Sequence, residues 1–203
     1  MIIYYAYKPN DDLAGEKLKS YLIQDHLPNE HIIQGIAYGV PTPKIRLLFN
    51  SGRVWKSSED RPAGFEQELS GEFIKQFGVD QGLLVTFIDS YTSCSIYLVK
   101  DLKRGGKTLL YGEGTNDYDC LGNSNGVDVR MIFEPKDEEK ITHIACCFSF
   151  SCCVINRRNI RISGQNWLSS NATITRLDWN TSQFISDEDI VDIKGEIFTL
   201  LPI

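Results

Sequence analysis

The sequence predicts an α+β domain, a predominantly antiparallel β-sheet with two main helices in the N-terminal 80 residues. Three observations point to it. Two segments ahead of residue 80 carry apolar residues at helical spacing, and from Gly82 onward the chain breaks into short β-prone runs separated by Gly, Asn or charged turns. No internal repeat, low-complexity tract or Pro/Ser-rich linker divides the chain, so residues 1–203 read as a single domain.

Taken in order, residues 2–7 (IIYYAY) are β-prone. The stretch NDDLAGEKLKSYLIQDHL predicts the first helix, with Asn10 or Asp11 as N-cap and Ala14, Leu18, Tyr21 and Leu22 on one face. KIRLLFNSGRVWK reads as two strands joined through Asn50-Ser51-Gly52. RPAGFEQELSGEFIKQFG predicts the second helix: Pro62 suits its first turn, Phe65, Leu69, Phe73 and Phe77 recur every fourth residue, and Gly78 can close it. LLVTFID, CSIYLVK, KTLLYG, VDVRMIFE, ITHIACCFSFSCCVI, ATITRLDW and EIFTLL follow as strands, with Arg104-Gly105-Gly106 the clearest turn. Ser186 and Asp189 in SDEDIVDI match a capping box and predict a short helix before the last strand.

The most chemical-looking stretch is CCFSFSCC, four of the six cysteines within eight residues. Read as one strand over residues 141–155, it sends neighbouring thiols to opposite faces and keeps same-face pairs roughly 20 Å apart, too far to share a metal or a disulfide. A turn at residues 148–151 would bring the pairs together, but Phe-Ser-Phe-Ser contains none of the usual turn residues. The expectation is therefore a central core strand with free thiols, and neither metal nor cofactor.

A formal net charge of −6 and a pI near 5.1 exclude a dedicated nucleic-acid binder, which needs a concentrated basic face. No apolar run approaches the span of a bilayer and no secretory signal pattern opens the sequence, so the expected location is the cytoplasm, with no membrane partner. The basic clusters KDLKRGGK and RRNIR, with Trp167 and Trp179 beyond them, would suit single-strand stacking, or equally a charged sheet edge.

Two functional readings follow. The first is a non-enzymatic protein-binding domain, whose narrower form is an immunity- or antitoxin-type inhibitor that neutralises a basic toxin. Its contacts would be the acidic positions Glu59, Asp60, Asp117, Asp119, Asp137, Glu138, Glu139, Asp187, Glu188 and Asp189. The second is a hydrolase with a scattered site: Cys94 as nucleophile with His143 as base and Asp89 as orienter, or a metal-assisted acidic site. For the metal version, DYDCLGNSNGVD places Asp117, Asp119, Asn125 and Asp128 at calcium-loop spacing, but Leu121 occupies a ligand position and β-prone runs flank the loop. Asp89, Asp101 and Lys103 offer a fainter nuclease-like set.

Overall fold

In a computed structural model the protein is all-β. The structure describes residues 2–7, 17–23, 25–38, 44–58, 71–91, 94–116, 118–122, 127–166, 175–180 and 183–193. Among the described residues the only helical elements are two 3-10 turns, Val79–Gln81 and Leu102–Arg104, and no helix is long and apolar enough to cross a membrane.

Both predicted main helices are corrected. Strand β1 (Ile2–Tyr7) pairs antiparallel with β2 (Lys17–Leu22), Tyr4 opposite Ser20, where the first helix was expected. Leu18 and Leu22, four residues apart, fall on one face of a strand as well as of a helix, and a short isolated helix is marginal in water, so strand pairing wins. The first half of the second helix lies outside the described residues; its second half is strand β6 (Gly71–Phe73) and a turn. The segment 186–193 is also not helical. Ser186 Oγ accepts the Glu188 N–H at 3.3 Å, and the segment is tied through Ser186 N–H to Arg158 O and Ile190 N–H to Arg157 O. The predicted strand EIFTLL lies outside the described residues.

The strands form three successive antiparallel meanders. Sheet I is β3 (Ile32–Tyr38), β4 (Lys44–Phe49), β5 (Val54–Ser57) and β6; sheet II is β7 (Leu83–Tyr91), β8 (Cys94–Asp101), β9 (Lys107–Gly114) and β10 (Arg130–Phe133). Sheet III is β11 (Ile141–Cys146), β12 (Phe150–Ile155) and β13 (Asn159–Asn166), whose far edge is shared by β14 (Thr175–Leu177) and β15 (Gln183–Ile185). Strands pair in chain order throughout sheets I and II and from β11 to β14 in sheet III, where β15 returns to β13. The Asn50-Ser51-Gly52 hairpin forms as expected, and Gly105 and Gly106 take the positive φ that their turn requires.

The expected single strand over 141–155 is instead the β11–β12 hairpin. Cys147 N–H donates to Phe150 O at 2.8 Å and leaves Phe148 and Ser149 as its tip. Neither tip residue has positive φ, so this turn needs no Gly or Asn, which explains its missing sequence signal.

The meanders stack face to face, and this stacking explains the composition of their strands. From β8, Cys94, Ile96 and Leu98 pack towards sheet III, while Tyr97 and Val99 pack towards sheet I; on β9, Leu110 takes the first direction and Leu109 the second. Sheet II is thus apolar on both faces, and CSIYLVK and KTLLYG lack the polar alternation of a half-exposed strand. The first strands of the meanders are neighbours, β7 lying against both β3 and β11. Gln34 of β3 grips the backbone of Ile88 on β7 twice, donating to its carbonyl at 2.8 Å and accepting its N–H at 2.9 Å. Asp89 of β7 in turn accepts the N–H of Cys146 at the end of β11 at 2.8 Å. Four-stranded meanders stacked with their first strands together have the architecture of propeller blades.

Candidate functional site

The ends of β3, β7, β9 and β11 lie at one rim, and two features meet there. The first is a cleft of about 560 Å³ between sheets I and II, lined among others by Tyr38, Lys44, Lys56, Glu72, Thr115 and Asp128. Its floor is a buried ion pair. Arg46, on β4, donates from Nε and Nη2 to Glu113 Oε1 of β9, at 2.8 Å each, and Arg46 Nη1 donates to the Ile45 carbonyl at 3.2 Å. The Tyr97 hydroxyl of β8 donates to the same Glu113 oxygen and receives Arg46 Nε at 3.3 Å.

Burial works against the Arg46 charge, but Tyr97, Tyr38 and Glu113 outweigh it and raise its pKa; burial first, then Glu113, raises that of Tyr97. Above this floor Lys56 Nζ stands 3.7 Å from Glu113 and 3.9 Å from Glu72, and the Tyr38 and Ser95 hydroxyls meet at 2.9 Å. Arg46 and Tyr97 hold their protons more tightly than usual, so the floor of the cleft offers a fixed positive charge and hydrogen-bond donors.

The second feature is aromatic. Tyr91 ends β7, Tyr118 lies on the β9–β10 connection and Phe148 is at the β11–β12 tip, so three separate connections deliver rings to one place. Phe148 stands edge-on to Tyr91 at 6.2 Å between centroids and tilted against Tyr118 at 5.0 Å. Phe148 is 50% exposed and Tyr91 36%. A large ring at a hairpin tip contributes little to a core, and three converging ones make a local apolar surface.

The residues proposed from sequence are dispersed. Cys94 is 2% exposed, and the Cys120 and Cys146 thiols, followed by burial, push its pKa well up. His143 contacts the Thr142 hydroxyl through Nδ1 at 3.0 Å and, three residues from Cys146, lies on the opposite face of β11. Asp89 is engaged by the backbone N–H groups of Ser90 and Cys146. Among the described residues no hydrogen bond joins Cys94, His143 and Asp89. Asp101 sits opposite Leu83 and Asp89 opposite Ile96, six positions apart along β7 or roughly 20 Å, so the nuclease-like set does not converge either.

Glu59, Asp60, Asp117 and Asn125 lie outside the described residues. Asp119 is half-buried with left-handed backbone, its carbonyl accepting Ser163 Oγ at 2.9 Å, and Asp128 is exposed beside the cleft. Among the described residues no group of three His, Cys, Asp or Glu side chains is arranged to hold a metal.

Three of the six other acidic positions are occupied within the chain. Asp137 pairs with Lys107 at 3.1 Å, Glu139 with Arg161 at 3.8 Å, and Asp189 with Arg158 at 2.7 Å and Arg157 at 3.8 Å; Glu138, Asp187 and Glu188 are exposed. The hydrogen bond from Arg158 holds the Asp189 carboxyl below its usual range. The same pairs engage the basic clusters. Trp167 lies outside the described residues, and Trp179 is buried with its ring stacked 5.8 Å from Phe133, so it is no platform for a base.

Sequence reading missed the residues that matter at this rim. An arginine inside the apolar run KIRLLF was the available signal for the buried pair. Nothing local marked Tyr91, Tyr118 and Phe148 as neighbours.

No protein-family model matches the chain, and no curated protein does. Among solved structures it is similar to the crystal structure of human WBSCR16, an RCC1-like propeller, with a TM-score of 0.51 and 14% sequence identity. The match covers 72% of this chain and 35% of that one, so the chain spans about a third of that structure's length. At this identity the likeness is one of fold alone.

Proposed function

We propose that the chain is a non-enzymatic protein-binding module that receives a basic partner segment on the rim carrying Tyr91, Tyr118 and Phe148. The observation that carries this reading is the convergence of those three rings, two of them substantially exposed, from separate connections on sheets II and III. Exposed aromatic clusters supply contact area at low entropic cost and attract Arg and Lys through the ring faces. The overall charge of −6, and Asp119 and Asp128 on the same connection as Tyr118, favour a partner of the opposite sign.

The narrower version, inhibition of a basic toxin through acidic loops, has less support. Asp137, Glu139 and Asp189 already have internal cationic partners, and a partner would have to break those pairs to use them.

The test is to purify the chain with its partner from the native source, confirm salt-sensitive binding with the purified partner, and map the contact by cross-linking. The expected result is cross-links at Lys44 and Lys56 beside the rim, and at least a tenfold weaker affinity for a Tyr91→Ser/Phe148→Ser chain that folds normally. Unchanged affinity in that variant, or cross-links confined to the loops around Asp137 and Asp189, would overturn the reading.

A further inference from the structure

Three cysteines distant in sequence meet where sheet II faces sheet III. Cys94 opens β8, Cys120 lies on the β9–β10 connection and Cys146 closes β11. The Cys94 Sγ is 3.1 Å from Cys146 Sγ and 3.0 Å from Cys120 Sγ, and all three side chains are in one apolar cluster. Tyr91, Tyr118 and Phe148 follow or precede these cysteines by two or three residues.

The spacing separates two kinds of thiol chemistry. Tetrahedral thiolate ligands at about 2.3 Å from zinc stand roughly 3.8 Å from one another, and a disulfide needs about 2.05 Å. Sulfurs already inside the metal spacing need only an approach of about 1 Å to bond. Two further cysteines of the β11–β12 hairpin offer a contrast. Cys147 and Cys152 lie on the other face of the hairpin from Cys146 and Cys153, and no sulfur contact is formed between them.

The geometry points to Cys94 as the junction of a disulfide, bonded to Cys146 or to Cys120, formed at the expense of a small disulfide such as oxidised glutathione. The Cys94 thiolate attacks one glutathione sulfur, makes a mixed disulfide and expels one glutathione thiolate. The second cysteine, as thiolate, then attacks the Cys94 sulfur, completes the protein bond and expels the other. Two protein S–H bonds are lost, their electrons reduce the glutathione disulfide, and their protons end on two glutathione thiols.

With Cys146 the bond would staple sheet II to sheet III; with Cys120 it would pin the β9–β10 connection. Hydrogen bonding with Cys120 and Cys146, and then burial, keep the Cys94 thiol protonated in the closed structure, so the exchange is completed as the sheets come together and is slow afterwards.

The experiment uses the full reduced chain in two arms, the native protein incubated with oxidised glutathione and the urea-unfolded protein refolded in an oxidised-to-reduced glutathione mixture. Each is quenched with N-ethylmaleimide in denaturing urea, so that every free thiol is alkylated, and mapped by mass spectrometry without reduction. In the refolded arm the alkylated thiols should fall from six to four, the two consumed being Cys94 and either Cys120 or Cys146, and the urea midpoint should rise. The native arm should reach the same product much more slowly.

Six alkylated thiols in both arms would overturn the assignment, as would a bond led by Cys147 or Cys152. A Cys94→Ser chain should retain five alkylated thiols after refolding; loss of two from that chain would also overturn it. If the variant does not fold, the map of the unaltered chain decides.

Discussion

The carboxylate of Asp89 on β7 accepts the backbone N–H of Cys146 on β11 at 2.8 Å, and so reaches from the first strand of one sheet to the first strand of the next. Burial raises the Asp89 pKa, and the hydrogen bonds from Cys146 and Ser90 only partly offset that. A carboxyl raised in the folded state binds more protons there than in the unfolded chain, so stability falls as pH rises from about 4 through the raised value and is flat above it. Asp89→Asn keeps an acceptor for Cys146 and should flatten that fall. Asp89→Ala leaves a buried N–H unpaired and should cost about 1–3 kcal/mol across the whole range. Urea unfolding of the three proteins between pH 4 and pH 8 checks both.

Arg46 and Glu113 should show strong coupling. Removing either partner of a buried ion pair strands the other charge, and about 3–5 kcal/mol is expected for Arg46→Met or Glu113→Gln alone. The double variant should lose much less than the sum. A double-mutant cycle by chemical denaturation measures this directly, and additive losses would show that the pair is not coupled.

Gly71 should not tolerate alanine. A Cβ there would stand 2.1 Å from a Trp55 ring carbon and 2.4 Å from the Lys56 carbonyl oxygen, so the β5–β6 pairing would have to open. Overpacking of this kind costs about 1–3 kcal/mol, and a lower thermal midpoint with local loss of amide protection in β6 is the expected signature.

The six thiols of the reduced, folded chain should react slowly with Ellman's reagent at pH 8. All are buried, and burial pushes the Cys147 thiol up to about 12. Complete and rapid titration should require denaturant; a fast native phase at Cys94 would revive its reading as a nucleophile.

What the sequence disclosed follows from how local each signal was. The β4–β5 and β8–β9 turns were legible because Asn50-Ser51-Gly52 and Arg104-Gly105-Gly106 carry their own conformational preferences. The β11–β12 turn was not, since Phe148 and Ser149 stay at negative φ and leave no mark. The predicted helices failed where four-residue spacing of apolar side chains in a short window suited a strand equally well.

Repetition of the meanders escaped notice for a similar reason. The sheets begin at Ile32, Leu83 and Ile141, and the tie between first strands is made by a glutamine in one case and an aspartate in the next. At the rim, the participants are brought together by pairing between sheets: Arg46 and Glu113 are 67 residues apart, beyond any local pattern.

Sheet II lies between two apolar contacts, and this bears on how the chain can come apart. Stacked repeats often unfold unit by unit, each contributing its own share of stability. Here the middle unit would present two bare faces if separated, so loss of either neighbour undermines it, and unzipping from one end should cost nearly as much as unfolding the whole. Amides of β8 should therefore exchange only through global opening, making that strand the slowest clock in the molecule.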